Sequence, residues 1–325
     1  MTSAAPSGFA PSAPQPPAPQ YFPGLIPIDE LKIEKVAFRD LGNRLPVGLV
    51  INGECHREVT FKPYNPETQM AIGRLLKSAD GNPKETIDAI TKSLVKLVDR
   101  IGTWSLDELA AQFYSRKPEW AIEALEARDV ITMSFLARLH MAMPRQEHDY
   151  EGHNGYDVSI AVACEKKSCD QIIKQIIDLS EMEIGVVKNP LTAPLLIAVP
   201  LSRPLTFMAG TEHQEQATFV QFKPPTWRDL KDQQKQNSPE EDRAAQILMM
   251  GSLPEASSVP FDAHTWRQVI SNPKNAKVLY EASDKLNEIG PKVAIPIVCG
   301  CPEKNKQYTM VPWMALSTFL FDPAD

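Results

Sequence analysis

The first regular hydrophobic pattern in the chain, residues 31–62, predicts strands joined by a hairpin. Apolar residues 49–51 and 59–61 stand on either side of Asn52 and Gly53. An Asn-Gly pair between apolar runs is a strong signal for a tight hairpin turn, because both residues tolerate positive φ. Pro63 and Pro66 lack the amide hydrogen that a sheet needs, so we expect the strands to end there.

Residues 67–143 change to a helical period. Apolar side chains recur three or four positions apart between Ile87 and Val98, with charged residues on the other side. Ser105 and Glu108 match a capping box, which predicts that a helix begins after Ser105. Residues 120–125 and 130–143 are predicted to complete about four helices. The residues of the last helix assigned to the core are Met133, Leu136, Leu139, Met141 and Met143.

The chain carries one pattern twice. Residues 158–164 read V-x-I-x-V-x-C, and residues 293–299 read V-x-I-x-I-x-C. Upstream of each, a Phe-Lys-Pro triplet ends a strand-like run, first at residues 61–63 and then at residues 222–224. Because an internal repeat decides the architecture, this pattern predicts a duplicated unit. The alternative is an accidental match, since V-x-I-x-V is common in strands.

The hairpin signal occurs again after residue 204, and one segment of the first unit stays open. Residues 205–210 and 217–222 are predicted to form the second hairpin. Residues 172–179 fit a strand or a helix, and a return strand would match the second half best. Residues 185–204 contain four prolines and are predicted to form an ordered linker.

These patterns predict an α+β fold. It consists of a duplicated unit of β-hairpin, helical insert and closing cysteine-marked strands, with an extended Pro-rich N-terminal arm. The predicted segments are an arm and lead-in at residues 1–44, a first unit at 45–185, a linker at 186–204 and a second unit at 205–325.

Both ends of the chain are candidates for partner binding. The first 20 residues are rich in proline and alanine, so they are either a disordered tail or an extended arm that docks along a neighbouring subunit. The anchors of a docking arm would be Tyr21, Phe22, Leu25 and Ile26. The last residues are unusually apolar for a chain end and are predicted to join the core or to bind a partner. Their candidate contact residues are Trp313, Phe319 and Phe321.

Composition narrows the function classes. The chain has 325 residues, enough for more than one core, and a net charge of −7, which argues against a general nucleic-acid binder. Its five cysteines are an odd set, which favours a reducing compartment over a secreted disulfide framework. The sequence shows no signal peptide, and its longest apolar run, residues 193–200, is too short to span a bilayer. We therefore expect assembly in the cytosol without membrane insertion.

The cysteines are the sharpest chemical signal. Zinc in structural sites takes four thiolate or imidazole ligands, usually from closely spaced pairs. Cys164 and Cys169 have four residues between them, which fits, whereas Cys299 and Cys301 have only one. The four thiols could meet on one zinc ion if the closing strands of the two units lie side by side. The alternative is that they are buried or unmetallated thiols at strand ends, and no other cofactor is indicated.

The sequence contains no recognisable catalytic constellation, so no catalytic residue is predicted. The motifs of zinc metalloproteases, α/β-hydrolases, dinucleotide-binding proteins and P-loop nucleotide-binding proteins are missing. Two alternatives stay open. The polar loop at residues 148–153 could hold a metal ion, and a cysteine and a histidine distant in sequence could pair in space.

Taken together, the patterned stretches resemble the baseplate hub assembly proteins of T-even-like contractile phages and their relatives in other contractile tails. The resemblance rests on short stretches in both halves of the chain. They are residues 45–49, 61–67, 133–139 and 222–229, together with the two cysteine-marked strands. It covers residues 45–325. The paired C-x-x-C of that family is replaced here by C-x₄-C and C-x-C, which puts zinc binding in doubt.

The resemblance implies a non-enzymatic structural component of a contractile phage tail baseplate, in the hub or wedge region. It would bind other baseplate or tail proteins, in several copies per particle, and would reside in the virion after assembly in the host cytoplasm. The alternative is a tail or baseplate assembly chaperone that is absent from the mature particle. The acidic charge favours this alternative, as do residues 220–229, which resemble short tail-assembly chaperones. A third hypothesis is an enzyme or metal-dependent regulator that uses the cysteines.

Overall fold

The computed structural model describes most of the chain from Leu25 onward as strands, helices and their connections. The described residues are 25–63, 65–79, 83–113, 115–141, 157–163, 172–178, 183–207, 215–233, 273, 275, 277–278, 281, 294–298 and 306–310. Within them the fold is α+β, which confirms the predicted class at this level.

The described strands and helices follow one another in chain order. The strands are β1 (Leu25–Pro27), β2 (Ile33–Ala37), β3 (Arg44–Ile51), β4 (Glu54–Phe61), β5 (Val98–Ile101), β6 (Trp104–Ser105), β7 (Asp157–Ala163), β8 (Ile172–Asp178), β9 (Glu183–Val187), β10 (Leu196–Phe207), β11 (Glu215–Phe222), β12 (Ala294–Val298) and β13 (Lys306–Met310). The helices are α1 (Phe38–Leu41), α2 (Pro66–Ser78), α3 (Pro83–Leu97), α4 (Leu106–Gln112), α5 (Glu119–Glu123), α6 (Ala127–Met141) and α7 (Trp227–Gln233).

The first predicted hairpin is confirmed. Strands β3 and β4 pair antiparallel around Asn52 and Gly53, whose φ angles are 51° and 82°. These are the positive angles that an Asn-Gly turn supplies at low cost. Strands β5 and β6 extend this hairpin into a sheet of order β3-β4-β5-β6.

The helical stretch begins and ends at recognisable caps. The side chain of Asn65 accepts a hydrogen bond from the Glu67 amide at the start of α2. The capping box of Ser105 and Glu108 at the start of α4 is confirmed. The prediction of a helix through Val98 is wrong at its end, because β5 begins at this buried residue and pairs with Phe61 of β4. Pairing with a neighbouring strand here overrides the local period.

The remaining described strands form four antiparallel pairs and one parallel pair. Of the two structures left open for residues 172–179, the return strand is the one present, since β8 pairs antiparallel with β7. Strand β12 pairs with β13, and β2 pairs with β9. Strand β1 runs parallel to the first residues of β10, with Leu25 opposite Leu196.

The second predicted hairpin is also present, as β10 and β11, but it begins earlier than predicted. Strand β10 starts at Leu196, inside the stretch predicted to be a linker. The prolines of this stretch are compatible with a strand because the register shifts between Pro200 and Leu205, and a bulge there needs fewer amide donors.

One large core gathers side chains from widely separated elements. Phe38 of α1, Met133 of α6, Ile184 of β9 and Trp227 of α7 belong to the same buried cluster, which confirms that Met133 is a core residue. This core therefore extends beyond residues 45–185 at both ends, while the proposed division into units remains a prediction. Within the described residues, no helix has the length and apolar character needed to cross a membrane.

Candidate binding cleft

A cleft of about 340 Å³ lies where β3, α5, residues 194–195 and the start of α7 meet. We call it the junction cleft, and most of its wall is apolar. The apolar wall consists of residues 47–50, Phe113, Trp120, Ala124, Pro194, Leu195 and Pro224. A volume near 300 Å³ is at the lower end of the range for small-ligand pockets, and it suits one or two large side chains.

Backbone bonds between two distant segments form the junction. The amide of Ala127 donates to the Pro225 carbonyl at 2.9 Å, and the amide of Trp227 donates to the Leu125 carbonyl at 2.9 Å. The indole of Trp227 is fully buried and donates from Nε1 to Oγ1 of Thr91 at 2.9 Å. A buried indole needs such a partner, so this bond fixes α7 against α3.

The β3 wall of the cleft is held by a buried carboxyl at the start of α6. Asp129 accepts hydrogen bonds from the amides of Val47, at 2.8 Å, and Gly48, at 2.9 Å. Gly48 has a φ of +88°, and a Cβ there would lie 2.6 Å from Cγ of Arg57. Only glycine fits this position, because any other side chain would be strained and would collide.

A second buried carboxyl lines the cleft beside Asp129. Oε1 of Glu126 pairs with Nη2 of Arg128 at 3.1 Å, and Nη1 of Arg128 donates to the Gly185 carbonyl at 3.1 Å. Both charged side chains are more than nine-tenths buried. Among the described residues, Oε2 of Glu126 and Nε of Arg128 have no hydrogen-bond partner. The pair is therefore only partly satisfied, which is costly for buried charges.

Burial raises the pKa of both carboxyls. It raises the pKa of Glu126, and the charge and hydrogen bond of Arg128 oppose this shift without cancelling it. Burial, reinforced by the charge of Glu126, raises the pKa of Asp129 to about 7, although its two backbone amide bonds and Arg128 act in the opposite direction. Near neutral pH this corner of the cleft therefore carries fewer negative charges than its composition suggests.

The mouth of the cleft is formed by a cation stacked on an aromatic ring. The guanidinium of Arg228 lies 3.6 Å from the centroid of the Trp120 ring. Trp120 and Arg228 also line a neighbouring polar cleft of about 320 Å³. In that cleft Lys231 bonds Asp88 at 2.7 Å and Glu123 at 2.6 Å. Burial lowers the pKa of Lys231, but the bonds to these two carboxylates outweigh it and leave the pKa raised.

The cleft is chemically suited to binding. An apolar wall with polar groups beside it, among them the buried carboxyls of Glu123 and Glu126 and the stacked cation of Arg228, can accept an apolar or aromatic side chain that carries one polar group. In the part of the chain that the structure describes, no group of histidine, cysteine, aspartate and glutamate is placed to hold a metal ion.

The structure describes only two of the site residues predicted from sequence. Leu25 is buried in β1 against Ala198 and Phe219 of the same chain, and Ile26 follows it in the strand. Whether either residue also contacts a partner stays a prediction. The others lie outside the described residues: Tyr21, Phe22, Cys164, Cys169, Cys299, Cys301, Trp313, Phe319 and Phe321. Cys55 is described and is a free thiol.

The residues that build the cleft were missed by sequence reasoning. Glu126, Arg128 and Asp129 precede an apolar helical run, where charged residues normally form a solvated first turn. The stack of Arg228 on Trp120 joins residues far apart in the chain. The one available signal was the cluster of charges directly before a mostly apolar stretch, residues 130–137.

Comparisons with known proteins detect no relative of this chain. No protein-family model matches the chain, and no curated protein or solved structure is detectably similar to it. The cleft is therefore interpreted from its own geometry.

Proposed function

We propose that the chain is a non-enzymatic structural component of a contractile phage tail baseplate, in the hub or wedge region, where it binds neighbouring baseplate or tail proteins. The observation that supports this proposal is the order of elements. In each proposed unit a hairpin is followed directly by a capped helix, and an antiparallel strand pair comes later in the chain. Two units that present strands, with a cleft between them, suit fixed contacts between subunits.

The opening parts of the two proposed units share a Phe-Lys-Pro triplet and a capped helix at the same spacing. Phe61 is the last residue of β4, and Phe222 is the last residue of β11. Each is followed by Lys-Pro, and the residue four positions after each phenylalanine, Asn65 or Thr226, precedes a helix. Asn65 accepts a bond from the amide of Glu67, and Oγ1 of Thr226 accepts one from the amide of Asp229. This agreement favours duplication over an accidental match.

The closing parts also correspond. Strands β7 and β8 form one antiparallel pair, and β12 and β13 form another. Cys164 is the residue after β7, and Cys299 is the residue after β12. Strand β8 contacts β12, so the closing hairpins of the two proposed units are neighbours. Two joined units would raise the effective concentration of the second contact once the first has formed.

The proposed Pro-rich arm would add a further contact with a neighbouring subunit. Residues 1–24 carry no charged side chain. An extended, uncharged segment with Tyr21 and Phe22 near its end suits a long apolar contact, whose formation offsets the ordering entropy. On this proposal the chain is present in several copies per particle and enters the virion in the host cytoplasm.

The proposal is tested by deleting the coding sequence from the genome that carries it and imaging the particles by electron microscopy. We expect tails without complete baseplates, and complementation by the full-length chain should restore them. A chain lacking residues 1–20 is the matched variant for the arm, and we expect it to restore baseplates only in part. Normal particles after deletion would rule out a structural role.

Zinc binding by Cys164, Cys169, Cys299 and Cys301 is a second proposal, favoured by the contact between β8 and β12. Four thiolates are a donor set that zinc accepts, although the C-x-C pair is tight. We expect one zinc per purified chain by mass spectrometry of metals, and its loss in Cys164→Ser. The control is Cys55→Ser, which should keep the metal. A zinc-free wild-type chain would remove this proposal.

A further inference from the structure

The strand that leads out of the N-terminal arm points towards the junction cleft. Strand β1 is parallel to β10, with Leu25 opposite Leu196 and Ile26 opposite Ile197. Because the two strands are parallel, both begin at the same end of the pair. Leu25 opens β1 opposite Leu196, which directly follows Pro194 and Leu195 of the cleft lining, so the arm joins the described structure beside the cleft.

The distance from β1 to the cleft suits the aromatic pair in the arm. At about 3.3 Å per extended residue, Phe22 can lie about 10 Å and Tyr21 about 13 Å from Leu25. Pro23 and Gly24 separate this pair from the strand, and glycine allows the chain to turn. The aromatic residues can thus reach the cleft without disturbing the pairing of β1 with β10.

The chemistry of the pair matches that of the cleft. Residues 1–24 contain three aromatic residues, Phe9, Tyr21 and Phe22, and no charge. The cleft wall is mostly apolar, and the stacked ring of Trp120 forms part of its mouth. A tyrosine combines an apolar ring with one hydroxyl that can donate or accept. Polar side chains in the cleft lining, such as Thr226 and Arg228, can bond this hydroxyl.

We propose that the junction cleft is a docking site for the arm of the same chain, with the side chains of Tyr21 and Phe22 as its occupants. In the isolated subunit the arm covers the apolar wall of its own cleft. The same two residues are predicted to anchor the arm on a neighbouring subunit, so docking in the cleft keeps them shielded until such a contact replaces it. The inference concerns the isolated chain and does not depend on its place in a tail.

Photocrosslinking in the full-length chain tests this directly. p-Azidophenylalanine is placed at position 21, the protein is irradiated at micromolar concentration, and the crosslinked peptides are identified by mass spectrometry. We expect crosslinks within one chain to the peptides that contain Trp120 or residues 194–195. The matched control carries the same group at position 9, where Phe9 is too far along the arm for this contact, and it should give at least fivefold less of these products.

A second variant blocks the cleft without touching the arm. Val50 is half-buried in its wall, so Val50→Arg can fill the space while the guanidinium reaches solvent. Circular dichroism confirms that the variant is folded, and we expect the crosslink from position 21 to fall at least fivefold. Mixing ¹⁵N-labelled and unlabelled chains distinguishes the source of each product. Crosslinks between two chains, crosslinks outside the cleft, none at all, or an unchanged yield in Val50→Arg would each overturn the proposal.

Discussion

At the scale of single residues, the carboxyl of Asp129 is buried, makes two structural hydrogen bonds and has a raised pKa. It holds two backbone amides of β3 in place, at 2.8 and 2.9 Å, and so shapes one wall of the junction cleft. Its position beside Glu126 makes its ionisation unfavourable, because two buried carboxylates repel and neither is fully solvated. The ionised carboxyl of Asp129 therefore lowers the stability of the folded state, and the same carboxyl shapes the cleft.

This cost predicts a dependence of stability on pH. The pKa of Asp129 rises from 3.8 to about 7 on folding, so between these values the folded state binds more protons than the unfolded state. The free energy of unfolding should then fall as the pH rises from about 4 to 7, by at most about 1.4 kcal/mol per pH unit. Above the folded pKa this contribution to the slope vanishes. Urea denaturation at several pH values measures the effect.

The matched variants for this prediction are Asp129→Asn and Asp107→Asn. The first removes one of two buried carboxyls with a raised pKa and should make the pH dependence between 5 and 7 less steep, whatever it does to stability at one pH. The second changes an exposed residue in the first turn of α4 and should leave the dependence as in the wild type. An equally steep dependence in Asp129→Asn would show that another group is responsible.

At the scale of elements, α7 packs against the earlier helices α3 and α5 and is held there by an ion pair. Lys231 of α7 reaches Asp88 of α3 and Glu123 of α5, and Glu123 is almost fully buried. Removing the ammonium would leave a buried carboxylate without its counter-charge. The bond is thus expected to matter more than an ion pair on the surface.

We predict that Lys231→Met lowers the free energy of unfolding by about 2 kcal/mol, less than for a fully buried pair because Lys231 is partly exposed. The control is Lys188→Met, which removes an exposed partner of Glu34 and should cost less than about 0.5 kcal/mol. Chemical denaturation of both variants at pH 7 provides the comparison. Equal effects in the two variants would mean that α7 is not held by this bond.

Elements with local signals were predictable, and the junction was not. The Asn-Gly turn, the capping box at Ser105 and the return strand β8 each depend on residues that are close in sequence. The bond from Ala127 to Pro225 joins residues about one hundred positions apart, and no periodicity reports such a contact. Strand β5 was not predicted for the same reason: its pairing with β4 overrides the helical spacing around Val98.

At the scale of the whole molecule, one core links parts of the chain that the sequence assigned to separate segments. Phe38 lies before residue 45, and Trp227 lies after residue 205, yet both are buried in the core formed mainly by residues 45–185. Strand β9 also needs β2 as its partner. The two proposed units can share an architecture while depending on each other for stability.

We therefore expect residues 45–185 expressed alone to lack a cooperative thermal transition, whereas residues 25–233 should retain one. The shorter fragment loses the side chains of Phe38 and Trp227, and truncating a single buried aromatic residue typically costs about 3–5 kcal/mol. Circular dichroism and limited proteolysis compare the two fragments. Cooperative unfolding of the shorter fragment at a similar temperature would instead support an independent first unit.

The proposal that the chain is a permanent part of a contractile tail depends on the repeated order of elements, and its presence in finished particles is the most direct test. Quantitative mass spectrometry of purified mature particles counts this chain against the tail-tube protein. The account predicts a fixed ratio, the same in every preparation and unchanged by washing in high salt. Absence from mature particles together with presence in assembly intermediates would contradict it and identify an assembly chaperone, and absence from both would place the chain outside the tail.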